Sequence, residues 1–182
     1  MGMTTPARER TRHEIVRQAM RLFQGRGYSA VSLQDIATAA GCSKATVLYH
    51  FNGKPAVLAA VLEPAGADLA ELVAAAAQME RDEAQEYTIG RFTDMAVQYR
   101  GVIDVLQELI PVIEEMPEVA QLVADGIRMK EFLAGSDEPL ELDLAGFAIN
   151  GLLGECRHPG ERSDEEMRRL CDIGLRRLLR PS

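Results

Sequence analysis

Apolar residues recur at the three- to four-residue spacing of helices along nearly the whole chain, and no stretch sustains the alternation of a strand. That pattern excludes a sheet-based core and leads to an all-α fold. With 182 residues and 47% hydrophobic composition, the chain is long enough to bury a proper core, so a disordered chain is not expected. The helices are punctuated most sharply in the first third. Ile15, Ala19, Leu22 and Phe23 line one face of a first helix, which the GRGY turn at 25–28 stops. A second helix is predicted from Leu33 to Ala40, with Ser32 as its N-cap and Asp35 near the positive end of its dipole. Gly41 ends it, Ser43 caps a third and short helix, Lys44 to His50, and Val47 anchors that helix in the core. Two helices joined by so tight a glycine turn form a helix-turn-helix.

Such a motif lays its second helix in the DNA major groove, side chains near its start reading base edges and flanking groups holding phosphates. On that geometry Ser43, Lys44, Ala45 and Thr46 lead into the groove, while Tyr49, His50 and Lys54 meet the sugar-phosphate backbone. Charge supports the assignment. The formal net charge is −8, which alone argues against a polyanionic partner. Met1 to Leu58, however, holds eight basic side chains against three acidic ones, leaving twelve basic and twenty-five acidic residues for the remainder. A basic segment ahead of an acidic one implies that one part faces a polyanion and the other does not.

The rest of the chain is expected to be helical throughout. Lys54 and Pro55 begin a long helix reaching about Met79, in which Pro64 should introduce a kink or break. Further helices are predicted over Ala84–Arg100 and Val102–Leu109, with breaks at Pro111 and Pro117 and a helix from Pro117 towards Leu133. The GSDEP cluster at 135–139 is a loop. Leu140, Leu144, Phe147 and Gly151 then share a face. After a loop over 157–162, Ser163 and Glu166 form a capping box, opening a helix whose single stripe contains Met167, Leu170, Cys171, Gly174, Leu175, Leu178 and Leu179. A terminal helix this apolar on one side needs a partner.

The run from Ile15 to Leu58, above all GYSAVSLQDIATAAGCSKATVLYHFNGKPAVL, resembles the DNA-binding region of the tetracycline-repressor (TetR) family of bacterial transcription regulators. The match rests on Phe23, the glycine turn before Tyr28, Ser32 ahead of Ile36-Ala37, Gly41, Ser43, and Thr46 with Tyr49, His50, Phe51 and Lys54; Ser32 is therefore counted with the DNA-facing set. Cys42 stands where the family usually has an aliphatic residue, and Pro55 where an acidic one is common. The resemblance, which covers about a quarter of the chain, implies an all-helical protein of about nine helices. It also implies a helix-turn-helix domain over 1–53, an effector-binding and dimerisation domain over 54–182, and a homodimer on a palindromic operator. The last two helices would pair between subunits, which assigns Phe147, Gly151, Leu170, Gly174 and Leu178 to the dimer interface. A small-molecule effector would shift the population towards a form that no longer fits DNA.

Phe92, Met95, Tyr99, Met116 and Met129 fall on middle helices and are candidate pocket residues, with Asn150 as a polar group for a ligand. No catalytic residue, cofactor or metal is expected. The three histidines are scattered, no glycine-rich phosphate loop occurs, and Cys156, His158 and Cys171 lack an intact zinc-ligand set. Cys42 reads as a half-buried turn residue. Three widely spaced cysteines, no membrane-length apolar run and no signal-peptide core are the pattern of a cytoplasmic protein. The expected function is a ligand-released repressor. The alternatives are an all-helical binding or catalytic protein whose motif no longer binds DNA, and a DNA-binding regulator that answers to a protein partner.

Overall fold

The computed structural model describes residues 6–109, 116–156 and 162–180. They form nine α-helices and no strand: α1 Pro6–Arg26, α2 Leu33–Ala39, α3 Lys44–His50, α4 Lys54–Ala76, α5 Arg81–Gln98, α6 Arg100–Leu109, α7 Ala120–Ala134, α8 Pro139–Cys156 and α9 Asp164–Leu179. The break expected at Pro111 and the loop around His158 lie outside the described residues. Pro117 opens a single 3-10 turn, Pro117–Val119, rather than the first turn of α7.

Local chemistry sets the ends of the first helices. The Ser32 hydroxyl accepts from the Asp35 amide, and the Asp35 carboxylate accepts from the Ser32 amide, a reciprocal box that starts α2. Gly41 takes a φ of 65°, a left-handed conformation open to glycine at little cost. It lets the Cys42 amide donate back to the Ala37 carbonyl at 2.9 Å and close α2. Two residues later Ser43 caps α3 by accepting from the Thr46 amide at 3.0 Å.

Packing divides into two cores. The first gathers Ile15, Phe23, Ile36, Val47 and Leu58 with Val102, Val105 and Leu109 of α6. The second gathers Leu72, Ile89, Phe92, Leu133, Met167 and Leu175. Helix α4 belongs to both: Val57, Leu58, Val61, Leu62 and Ala65 pack in the first core, and Leu69, Leu72 and Val73 in the second. The break expected at Pro64 therefore does not occur. A proline inside a helix costs about 3 kcal/mol. Each of these buried Val and Leu side chains contributes about 2 kcal/mol, and an unbroken helix is what carries them into both cores. Helix α6 leans the other way, setting Gly101 against Met20 and Gln24 of α1. The first core thus continues past residue 53 into α4 and α6.

At the far end, α5 packs against α7 and α9, and α8 packs between α7 and α9. The buried Gln85 amide ties this end together by donating to the carbonyls of Leu133 at 2.9 Å and Leu179 at 3.3 Å. The single stripe expected on α9 is two. Met167, Cys171, Leu175 and Leu179 are buried in the core, whereas Leu170 and Leu178 are exposed. The capping box of Ser163 and Glu166 starts α9 as the sequence indicates.

Candidate nucleic-acid interface

Helix α3 is seven residues long and is fixed by one completely buried side chain, Val47. Successive residues turn by about 100°, so Ala45 and Tyr49 lie opposite Val47, with Leu48 and Lys44 on one flank. All four are exposed, Tyr49 by 68% and Leu48 by 48%. These side chains form the outward face, with Ser43 exposed just ahead of them. Ser43 and Thr46 are joined hydroxyl to hydroxyl at 2.9 Å, so both serve the helix cap.

Helix α1 supplies charge beside this face. The Arg8 guanidinium lies 5.4 Å from the Tyr49 ring centre, and that of Arg12 lies 5.3 Å from the Phe51 ring centre. The His50 ring meets Tyr49 edge-on at 5.2 Å. Burial, together with the Arg8 and Arg12 charges, lowers the His50 pKa, so the ring is predominantly neutral at pH 7. The two arginines were not among the residues singled out from the sequence. Their signal was present in the i, i+4 spacing that puts both on one side of α1.

Two residues assigned to the DNA surface have partners within the protein. Lys54 does not reach outward: its ammonium donates to the carbonyls of Tyr28 and Val31, both at 2.9 Å, and lies 4.2 Å from the Tyr28 ring centre. It ties the α1–α2 loop to the start of α4. Ser32 is likewise engaged, its hydroxyl 2.5 Å from the Asp35 carboxylate. That bond and its partner from the Ser32 amide, with the Arg26 guanidinium, hold the Asp35 carboxyl at about 2.

Among the described residues the candidate pocket residues lie in different surroundings. Phe92, Met95 and Met129 are buried in the second core, Met116 packs against the first, and Asn150 is exposed. Tyr99 lies between the two cores, its hydroxyl donating to Asp68 at 2.7 Å and lying 3.3 Å from the Pro64 carbonyl. An apolar pattern reads the same for a core as for a cavity wall, which is why the sequence did not separate them. The residues assigned to the dimer interface do come together: Phe147, Gly151, Leu170, Gly174 and Leu178 line one groove between α8 and α9. Among the described residues no cluster of three or more His, Cys, Asp or Glu is arranged to hold a metal. The Cys156 side chain and His158 lie outside them. Cys42 is a half-buried free thiol whose pKa is raised by burial.

Residues 15–61 match the family model of the bacterial regulatory proteins of the tetR family. The HTH-type transcriptional regulator SrpR of Pseudomonas putida is 42% identical over 59 residues, covering 32% of this chain and 28% of that protein. AcrR of Shigella flexneri is 34% identical over 64 residues, covering 35% and 30%. These matches span less than a third of either relative's length. The fold extends the likeness to nearly the whole chain. A TetR-family transcriptional regulator from Bordetella parapertussis superposes with a TM-score of 0.72 at 18% identity, covering 93% of this chain and 94% of that one. The fatty acid degradation regulator FadR from Bacillus halodurans gives 0.70 at 16% identity, covering 99% and 98%. Residues 15–61 are thus similar to the DNA-binding segment of the tetR family of bacterial regulatory proteins, and the chain as a whole shares the fold of the TetR-family regulators that superpose on it.

Proposed function

We propose that the protein is a sequence-specific DNA-binding regulator of transcription, acting as a homodimer that a small-molecule effector releases from a palindromic operator. The observation that carries this reading is the outward face of α3, with Lys44, Ala45, Leu48 and Tyr49 exposed around a buried Val47 and the arginines of α1 alongside. A helix so presented enters a major groove, and the basic side chains around it neutralise phosphates. The exposed apolar groove of α8 and α9 supports pairing with a second copy, which sets two recognition helices on half-sites about one helical turn apart.

The division of labour follows residue 53, with the DNA-facing unit before it and the effector and pairing unit after. Helix α4 spans both cores, so an effector that repacks the second core re-aims the first. By linkage such an effector weakens DNA binding by the factor by which DNA weakens its own. No helix among the described residues is long and apolar enough to cross a membrane, and the work is assigned to the cytoplasm, where the chromosome of a bacterium lies. Catalysis has no part in this reading, and the relatives matched are transcriptional regulators.

The test is selection from a pool of random duplexes at about physiological salt, where nonspecific binding is suppressed. A palindrome should be enriched, and Lys44→Ala or Tyr49→Ala should lose it. A folded dimer that enriches nothing would overturn the proposal in favour of a helical binding or catalytic protein.

A further inference from the structure

Half of the outward face of α3 has no hydrogen-bonding atom to offer. Ala45 and Leu48 are both exposed there, Leu48 by 48%, one turn apart from Lys44 and beside Tyr49. A single exposed leucine on a protein surface ordinarily carries no message. This one stands on a seven-residue helix whose opposite side is pinned by Val47, and the arginines of α1 rest on the rings of Tyr49 and Phe51. Its position is therefore fixed relative to whatever the basic surface meets.

In the major groove the edges of adenine, guanine and cytosine present only donors and acceptors, and an isobutyl group packed on them dehydrates polar atoms without replacing their bonds. Thymine alone among the four bases adds an apolar group, the C5-methyl. Resting on the DNA-binding reading above, we infer that Leu48, with the Ala45 methyl, is a specificity-determining pair that reads a pyrimidine C5-methyl, that of thymine, in each operator half-site. Lys44 and Tyr49 supply the polar contacts around it. Leu48 thereby rejects a guanine or cytosine at that position by stranding its polar edge.

Uracil tests this directly, because it keeps the pairing edge of thymine and lacks only the methyl. Each thymine of the selected half-site is replaced by uracil in turn and binding of the full-length protein is measured. At one position the wild type should lose affinity about fourfold, the equivalent of one buried methyl, and about fifteenfold when both half-sites are changed. Leu48→Ala should bind the thymine and uracil duplexes equally at that position while keeping the wild-type base preferences at every other. Its thermal midpoint should match the wild type, because Leu48 lies outside both cores. Cytosine and 5-methylcytosine at the same position form a second arm. A gain on methylation larger than the thymine-to-uracil difference would assign the contact to the methylated base and overturn thymine as its source. Indifference of the wild type to uracil at every thymine of an operator it binds would overturn the inference and leave the DNA-binding reading intact. Failure to select any operator would overturn both.

Discussion

Lys44 and Lys54 carry the same charge into different surroundings. Lys44 stands exposed at the start of α3, whereas the Lys54 ammonium spends two of its three N–H groups on the Tyr28 and Val31 carbonyls. Substituting each should therefore fail differently. Lys44→Ala should leave stability unchanged and lower the slope of log affinity against log salt by about 1, one phosphate contact's worth. Lys54→Ala should keep that slope and cost about 2 kcal/mol in urea unfolding, because it withdraws a charged donor from two carbonyls at once. A reversal of the two outcomes would restore Lys54 to the DNA surface. His50 gives a pH signature of two signs. Burial first, then Arg8 and Arg12, lowers its folded pKa below the ordinary 6.5, so the unfolded chain takes up a proton first. Stability should fall as pH drops below about 6.5 and level off beneath the folded value, a decline that His50→Gln removes. Operator phosphate acts oppositely by favouring the imidazolium. Affinity should then rise between pH 7 and 6 in the wild type and less in His50→Gln. The fate of these residues was only partly legible in the sequence. Ser32 and Ser43 act through neighbours three residues away, which spacing reveals. Lys54 is held by carbonyls 26 and 23 residues distant, which no local pattern encodes.

Among elements, the C-terminus of α7 shows how one residue holds three helices. Gly135 caps α7 with a φ of 61°, and a Cβ built on it would come within 2.7 Å of the Gln85 amide. That amide is the buried donor to α7 and α9, so it cannot withdraw without releasing the carbonyls of Leu133 and Leu179. Gly135→Ala should cost about 2 kcal/mol in equilibrium unfolding, about half from the left-handed backbone and the rest from the displaced amide. In a double-mutant cycle with Gln85→Ala the two costs should fall short of additive, since the second change removes the side chain the first one strikes. Strict additivity would show that only the backbone conformation matters. The same contrast between local and distant causes decides what the sequence revealed about the helices. The bounds of α3 and the start of α9 follow from serine caps and are read at sight. Continuity of α4 through Pro64 depends on two cores contributed by other helices, and α5 begins at Arg81, three residues before its apolar pattern, where Arg81 pairs with Asp137 at 2.8 Å. The pocket assignment meets a related ambiguity. Phe92, Met95 and Met129 have the spacing of a buried face, and only the packing of neighbouring helices distinguishes a filled face from a hollow one.

For the whole molecule, the unequal charge of the two parts and the position of the apolar groove act together. The basic segment presents α3, while the acidic remainder turns Phe147, Leu170 and Leu178 outward on α8 and α9. Phe147 is 69% exposed and sits in neither core, so its size is not needed to fold the chain. Phe147→Glu should retain the helical signal of the wild type and yet sediment as a monomer at micromolar concentration, because pairing would bury a carboxylate among Gly151, Leu170 and Leu178, where the cation lining the groove, Arg162, is already paired with Glu155 at 2.5 Å. Loss of pairing removes the second recognition helix from the same operator, so affinity should fall by about a hundredfold or more while a single half-site is bound as before. A Phe147→Glu protein that remained dimeric and kept its operator affinity would move the pairing surface away from α8 and α9, and with it the spacing on which the palindrome depends.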